Sequence, residues 1–358
     1  MPDDQLTRPW DSRAHRQPVA NITPGQIVDS VLAVLAGASL EEAADRIGMQ
    51  PVDLADAVEV YQAAGHAALQ SQLASRAWYQ TRIQFARWDS AEHIAATHLA
   101  SGLDELQEAQ LATAWWFIRK APCWRLRVLP APASRTDMKA SVGTILDKLL
   151  AEGLIEQWWE TIYEPESAAF GGPAAMELAH ALFHADSRGI LDYALRPTTA
   201  SGSTIGRREL SILLCSALLR GAKLDWFEQG DVWHRVAQLR PLPREAPTWR
   251  LPELATGLRS LMGADTRPTG PLFAPDKPLA FAASWIATFD LAGRALGEAA
   301  TSGSLTRGLR DILAHHVIFH WNRLGLSVRT QSILARAARD TVLNPMLPSH
   351  EGHPAGGK

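Results

Sequence analysis

The chain has 358 residues, of which 46% are hydrophobic, so it can bury a sizeable core in one large domain or two of ordinary size. A formal net charge of −3 at pH 7 argues against a general affinity for nucleic acid or anionic membranes. No signal peptide opens the sequence, and no apolar run approaches the ~20 residues that cross a bilayer. Its two cysteines, Cys123 and Cys215, fit neither a disulfide framework nor a metal-binding spacing. We therefore expect a soluble cytoplasmic globular protein without metal or other cofactor.

The N-terminal part is predicted to be an arm followed by helices. Residues 1–20 are polar and predict a flexible arm, and residues 21–72 predict a helical segment. Within it Ser39 and Glu42 make a capping box, and Gly48 ends the short helix that they begin. Helix, tight turn and helix give the outline of a helix-turn-helix. Acidic side chains dominate this outline and would repel phosphates, so we expect peptide docking or plain packing here and no DNA binding.

The next segment predicts a sheet. Its strand-like runs and helices follow one another as β-α-β-β-α-β, which is the order of a ferredoxin-like antiparallel sheet. The predicted strands cover 78–88, 114–120, 124–129 and 155–165, and the predicted helices lie near 90–100 and over 137–153. The fold class that follows is α+β.

The second half of the chain predicts a large all-helical portion packed against that sheet. Apolar positions at helical spacing recur in seven segments, near 173–196, 207–222, 228–240, 250–263, 279–299, 304–325 and 327–343. Sheet and helices together form one predicted domain, residues 76–344. The tail, residues 345–358, predicts disorder.

An arginine pair is the first candidate site. In 120-KAPCWRLRVLP-130, Arg125 and Arg127 alternate with apolar residues, so a strand would direct both guanidinium groups to one face. Arginine forks bind carboxylates or phosphates through paired hydrogen bonds. Arg119 and Lys120 add two cations nearby. The alternative is a solvated sheet face whose arginines pair with glutamates such as Glu160.

A glycine pair and a histidine pair are further candidates. Gly171 and Gly172 follow a strand and allow positive φ or a close backbone approach, although a plain strand-to-helix turn explains them as well. His316 and His320 lie one turn apart on one predicted helix face. No third ligand accompanies them, so a buried histidine or a general acid is expected instead of a metal site.

Taken together, the motifs resemble the thiopeptide-type bacteriocin biosynthesis proteins, which are similar to a stand-alone C-terminal, or elimination, domain of lanthipeptide dehydratases. The resemblance covers residues 76–344. The motifs that carry it, in chain order, are WWFIRKAPCWRLR at 115–127, YEPESAAFGG at 163–172, FHADSRGIL at 183–191, RELSILLCSALLR at 208–220 and FHWNRLGL at 319–326.

This resemblance implies an enzyme that matures ribosomally made peptides. A partner protein glutamylates Ser or Thr of a leader-bearing precursor with glutamyl-tRNA as donor, and the elimination domain expels glutamate to leave dehydroalanine or dehydrobutyrine. Some members instead join two dehydroalanines in a formal aza-[4+2] cycloaddition that forms the pyridine core of thiopeptides and releases the leader. Elimination is the first expectation, pyridine formation the second, and a non-catalytic peptide-binding protein the third. A homodimer is possible in any of these cases.

The resemblance also implies functional residues. Arg125 and Arg127 match the arginine pair that eliminating members use on glutamate. The sequence departs from the family at two positions, since Ala169 replaces an arginine before the aromatic-Gly-Gly turn and Ile318 replaces a histidine in the last motif. The expected catalytic residues are Arg125, Arg127, His316 and His320, and the expected substrate-binding residues are Arg119, Lys120, Gly171, Gly172, Asn322 and Arg323.

Overall fold

The computed structural model describes residues 22–196, 205–243, 251–267 and 269–344. The arm predicted at 1–20 and the tail predicted at 345–358 lie outside these residues. The chain divides into two compact units between Gln70 and Ser71. In the described residues no helix combines the length and the apolarity needed to span a bilayer.

The first unit is helical. It contains α1 (Pro24–Leu35), α2 (Leu40–Ile47) and most of α3 (Pro51–Ala77). The predicted capping box at Ser39 is only half formed. Ser39 Oγ accepts a hydrogen bond from Glu42 N and donates one to the carboxylate of Glu41, but the return bond from Ser39 N to the Glu42 side chain is not among the hydrogen bonds of the described residues. Gly48 ends α2 in the left-handed conformation, as predicted.

The second unit is built on a four-stranded antiparallel sheet in the order β2-β3-β1-β4. The strands are β1 (Tyr79–Phe85), β2 (Ala112–Lys120), β3 (Cys123–Pro130) and β4 (Ile155–Thr161). Between β1 and β2 lie α4 (Ala91–Ile94), a π-helical turn (Ala95–Leu99) and α5 (Ala100–Glu108), and α6 (Arg135–Ala151) lies between β3 and β4. The predicted mixed α+β class is confirmed, with an antiparallel sheet.

The helices that follow are α7 (Pro173–Ala194), α8 (Arg207–Gly221), α9 (Trp226–Leu239), α10 (Leu251–Gly263), α11 (Ala283–Thr301), α12 (Leu309–Leu324) and α13 (Val328–Leu343). Each coincides with a helix predicted from the apolar spacing. Most of their apolar side chains join one core with the strands.

The two faces of the sheet differ in chemistry because side chains alternate along each strand. On one face Trp124, Leu126 and Val128 of β3 are buried in the main core. On the other face lie Arg125 and Arg127, as the alternation predicts. A separate cluster of aromatic and apolar side chains covers part of this second face: Trp78, Trp116, Tyr163, Phe170, Met176, Ala179 and Phe183.

Candidate functional site

A cavity of about 560 Å³ opens on the second face of the sheet. Strands β1, β2 and β3 form its floor, and the segment after β4 together with α7 and α12 forms its walls. It is lined by Gln80, Arg82, Trp116, Ile118, Arg119, Lys120, Arg125, Arg127, Ile162, Tyr163, Glu164, Glu166, Phe170, Met176, Arg240, Phe319 and Asn322. Cations outnumber carboxylates on this wall, so the cavity favours an anion.

Three arginines of adjacent strands form the floor of this cavity, and we call Arg82, Arg125 and Arg127 the arginine cluster. Arg82 of β1 is the register partner of Arg125 of β3, so two cations lie directly opposite each other. Like charges opposite one another across strands are destabilising unless something neutralises them. In the part of the chain that the structure describes, Arg82 Nε is buried without a hydrogen-bond partner. A negative group bound between these arginines would relieve the repulsion.

Arg127 is the most buried member, with 6% of its surface exposed. Its guanidinium carbon lies 4.1 Å from the ring centre of Trp116 and 4.9 Å from that of Tyr163. Burial lowers the pKa of Arg127 to about 9, which still leaves it charged at neutral pH. Within the described residues, no group accepts a hydrogen bond from its Nη1 atom. A buried charge without a full set of partners is costly, and a bound carboxylate would supply what is lacking.

Gln80 fixes the orientation of Arg127. Its Oε1 atom accepts a hydrogen bond of 2.8 Å from Arg127 Nε. Its Nε2 atom donates to Thr161 Oγ1 at 2.7 Å and to the carbonyl oxygen of Ile162 at 2.9 Å. The end of β4 thus holds Gln80, and Gln80 holds one side of the guanidinium, which leaves the Nη side for a ligand.

Arg119 and Lys120 lie at one end of the same wall but differ in their surroundings. The Arg119 side chain is paired with Glu92 at 2.5 Å and lies over the Trp124 ring, which belongs to the opposite face of the sheet. Arg207 also binds Glu92, at 2.6 Å. Lys120 is exposed. The charge of Arg119 is therefore already matched, whereas that of Lys120 faces solvent.

Gly171 and Gly172 form a tight turn behind the cavity wall. Their φ angles are +90° and +105°, in the region that favours glycine, so the predicted positive φ is confirmed. A Cβ on Gly171 would lie 2.3 Å from Ile312 Cδ1, and the Gly171 carbonyl accepts a hydrogen bond from Thr306 N. These contacts seat the turn against the start of α12 and place Phe170 on the cavity wall.

Helix α12 carries four of the predicted residues, of which Asn322 lines the cavity. His320 and Arg323 are buried and both bind Asp186 of α7, at 2.9 Å and 2.7 Å. His316 is also buried, and burial lowers its pKa to about 3, so the ring is neutral. The side chains that line the cavity among the described residues include none of these three.

Several wall residues escaped the sequence analysis. Gln80 and Arg82 sit at alternate positions of β1, and the same period-two pattern that pointed to Arg125 could have found them. Tyr163 and Glu166 lie within a quoted motif but gave no chemical signal of their own. Arg240 ends α9 far along the chain, and no local pattern links it to the sheet. Across the described ranges, no group of His, Cys, Asp or Glu side chains could hold a metal ion.

The chain is thus an α+β protein with a basic cavity on one face of its antiparallel sheet, walled by helices. Comparison with known families narrows this class of protein. The profile of the family described as "Lantibiotic biosynthesis dehydratase C-term" matches residues 78–342, so the chain belongs to that family. The search of curated proteins found no match.

Three solved structures share the fold. The tRNA-dependent lantibiotic dehydratase MibB from Microbispora sp. 107891 matches with a TM-score of 0.55 and 18% identity, over 75% of this chain and 28% of that chain. TsrL matches with a TM-score of 0.51 and 16% identity, over 75% of this chain and 95% of that chain. The pyridine synthase TbtD from thiomuracin biosynthesis matches with a TM-score of 0.54 and 12% identity, over 75% of this chain and 98% of that chain. At these identities the likeness shows the fold, and the match spans only 28% of the MibB chain.

Proposed function

We propose that this chain matures a ribosomally made, leader-bearing peptide by eliminating glutamate from glutamylated Ser or Thr. One observation carries the proposal: Arg127 is buried on the wall of the cavity with an Nη1 atom that no described residue binds, next to Arg82 and Arg125. Such a cluster suits the free carboxylate of a glutamyl ester and the second carboxylate that forms as the ester leaves.

The reaction removes one proton and one leaving group. A base takes the α-proton, the electron pair of that bond forms the new double bond between Cα and Cβ, and the Cβ–O bond breaks. Glutamate departs with the electron pair of the C–O bond. Cations that face the developing carboxylate lower the barrier because they act where negative charge appears.

We assign the base to Glu166. It lines the cavity, and its charge acts on both Arg127 and Tyr163. Within the described residues its carboxylate takes part in no ion pair, so it is available to accept a proton. Glu164 lines the same wall and is the alternative.

The remaining predicted residues receive supporting roles in this proposal. Arg323 and His320 orient α12 through Asp186, and His316 fills the space beside Phe170, whose ring centre is 4.9 Å away. Asn322 and Lys120 contact the peptide at the cavity rim, and Arg119 shapes the end of the sheet. Gly171 and Gly172 keep Phe170 on the wall.

The wider organisation is also a proposal. We assign residues 76–344 to the catalytic domain, with its sheet as a ferredoxin-like unit, and residues 21–72 to a helical extension. The family match over 78–342 and the division of the chain between Gln70 and Ser71 support this assignment. The partners that elimination requires are the precursor peptide and a protein that glutamylates it from glutamyl-tRNA.

Mass spectrometry tests the function directly. The purified protein is incubated with a precursor peptide that carries one O-glutamylserine, and the expected product has lost glutamate while keeping its leader. Arg127→Ala should abolish this loss. Arg294→Ala is the matched control, because Arg294 is 60% exposed and pairs with Asp290 away from the cavity. Glutamate release that survives Arg125→Ala with Arg127→Ala would refute the role of the arginine cluster.

Pyridine formation is the second candidate, and two positions favour it. Ala169 packs against the aromatic cluster and Ile318 is 5% exposed, so the places of the family's arginine and histidine hold no ionisable group. Incubation with a peptide that carries two dehydroalanines separates the reactions, because cyclisation releases the leader. A protein that binds both peptides and changes neither would be the non-catalytic peptide-binding protein.

A further inference from the structure

Tyr163 and His180 form a buried pair beside the arginine cluster. The Tyr163 hydroxyl and His180 Nε2 share a hydrogen bond of 2.7 Å, and their exposed fractions are 6% and 9%. The Trp78 ring stacks obliquely on His180 with the ring centres 4.8 Å apart, and Trp116 meets Tyr163 edge-on at 5.8 Å. The pair is thus held rigidly by aromatic rings in a site from which water is largely excluded.

The position of Tyr163 sets it apart from an ordinary buried tyrosine. It lines the arginine cavity and also a second cavity of about 780 Å³ on the other side of the segment after β4. Its ring lies 4.9 Å from the Arg127 guanidinium carbon. The Tyr163 ring therefore belongs to the same wall as the arginine cluster, whereas His180 of α7, which bonds the hydroxyl, is not among the residues that line the cavity.

Both groups keep the protonation state that a hydrogen-bond donor requires. Burial raises the pKa of the Tyr163 phenol, so the hydroxyl retains its proton. Burial lowers the pKa of His180 to about 4, and the charge of Arg127 acts in the same direction, so the imidazole is neutral. A neutral ring can donate its Nε2 proton to the phenol oxygen, which leaves the phenol hydrogen free to point into the cavity.

We propose that the Tyr163 hydroxyl donates a hydrogen bond to the amide oxygen of the residue that loses its α-proton, and that His180 is the positioning residue that orients this hydroxyl. The proposal rests on the elimination reaction described above. The Cα–H bond breaks, the proton passes to Glu166, and the electron pair moves onto the amide oxygen, where the Tyr163 hydroxyl stabilises it. The electron pair then moves back from the amide oxygen to form the Cα–Cβ double bond, as glutamate leaves with the electrons of the C–O bond. Tyr163 keeps its own proton throughout.

Tyr163→Phe tests the donor with the O-glutamylserine peptide as the probe. Removal of one oxyanion donor costs about 100-fold or more in kcat, and we expect that loss with a KM within about threefold of the wild type. Tyr193→Phe is the matched control, because it also removes one tyrosine hydroxyl, but from a residue that does not line the cavity and whose hydroxyl donates to the backbone carbonyl of Ile205. A Tyr163→Phe protein that keeps kcat within about threefold of an active wild type overturns the proposal.

His180 is tested by substitution and by spectroscopy. His180→Leu should lower kcat, and His180→Gln, which restores an N–H donor near the same place, should recover most of it; equal loss in both variants overturns the positioning role. The ¹⁵N shift of Nε2 in the folded wild type should be that of a protonated nitrogen. An unprotonated Nε2 would mean that the phenol hydrogen is committed to His180, and it would refute the proposed geometry whether or not the variants fold.

Failure of the reaction and failure of the donor give different results. A wild type that cyclises the bis-dehydroalanine peptide but releases no glutamate refutes elimination, and the same variants then test Tyr163 in cyclisation. A wild type that releases glutamate equally well with Phe at position 163 refutes the donor and leaves the elimination intact. A wild type that processes neither peptide refutes both.

Discussion

Replacing Arg127 with methionine should make the ligand-free protein more stable while abolishing its turnover. Methionine has a similar length and can keep the contact with the Trp116 ring, but it carries no charge. Arg127 is 6% exposed, and no described residue binds its Nη1 atom, so the native side chain is stabilised incompletely in the absence of a ligand. The substitution removes that unfavourable burial together with the anion site.

The expected gain is a difference between larger contributions. Burial lowers the pKa of Arg127 to about 9, and at about 1.4 kcal/mol for each pH unit this corresponds to roughly 5 kcal/mol of penalty on the charged form. Loss of the cation–π interactions with Trp116 and Tyr163 costs about 2 kcal/mol. Leaving Gln80 Oε1 without its donor costs a further ~1–2 kcal/mol. The net stabilisation is therefore about 1–2 kcal/mol.

Urea and thermal unfolding of wild type and Arg127→Met measure this difference. For a unit of this size the midpoint of thermal unfolding should rise by a few degrees, about 2–4 °C for each kcal/mol. Because the folded pKa is depressed, the penalty is complete below about pH 9 and shrinks as the pH rises through that value, so the advantage of the variant should narrow above pH 9. Free L-glutamate should raise the wild-type midpoint and leave the variant unchanged.

Arg125→Met is the control, because Arg125 is only partly buried and its charge should carry a smaller penalty. A variant less stable than the wild type by about 1 kcal/mol or more would refute the claim that Arg127 lacks a full set of partners in the free protein. Glutamate that stabilises both proteins equally would refute the assignment of the carboxylate to Arg127.

Three further substitutions test other parts of the structure. Asp186→Asn leaves the buried Arg323 and His320 without their carboxylate partner and should destabilise the protein by about 3 kcal/mol in urea, whereas Asp290→Asn, whose partner Arg294 is exposed, should change it little. Gly172→Ala forces a Cβ into a φ of +105° and 3.0 Å from Thr306 Cγ2, and it should cost about 1–3 kcal/mol; Gly257→Ala, in a helix with open space around it, should not destabilise. Glu166→Gln should abolish glutamate release while the glutamylated peptide still binds by calorimetry, and retained release would exclude Glu166 as the base.

The sequence was sufficient to predict the helices and strands, and to predict which side chains lie on one face of the sheet. Alternation of apolar residues with Arg125 and Arg127 specifies both the strand and the direction of the two guanidinium groups, because a strand has a period of two. Helix ends could also be predicted where a single residue determines them, as at Gly48. These features depend on neighbours within a few positions along the chain.

The burial of individual side chains and their long-range partners could not be predicted in this way. Arg323 stands beside Asn322 in the sequence, yet one is fully buried against Asp186 and the other lines the cavity. That contrast depends on α7 packing against α12, which no local pattern specifies. Arg82 belongs to the arginine cluster only because β1 pairs with β3 in a register that places it opposite Arg125. Strand register over more than forty residues is a property of the folded sheet.

The arginine cluster by itself does not distinguish elimination from cyclisation, because a guanidinium stabilises an expelled carboxylate and a polarised amide oxygen alike. The distinction must lie in what leaves the substrate. Elimination places a second carboxylate in the cavity, and three arginines on the floor can bind two carboxylates. Cyclisation of two dehydroalanines brings no carboxylate into the site, and the opposed pair of Arg82 and Arg125 would then remain unneutralised. The cluster therefore supports the elimination that we propose, whereas the absence of ionisable groups at Ala169 and Ile318 supports cyclisation, and incubation with the two peptides decides between the reactions.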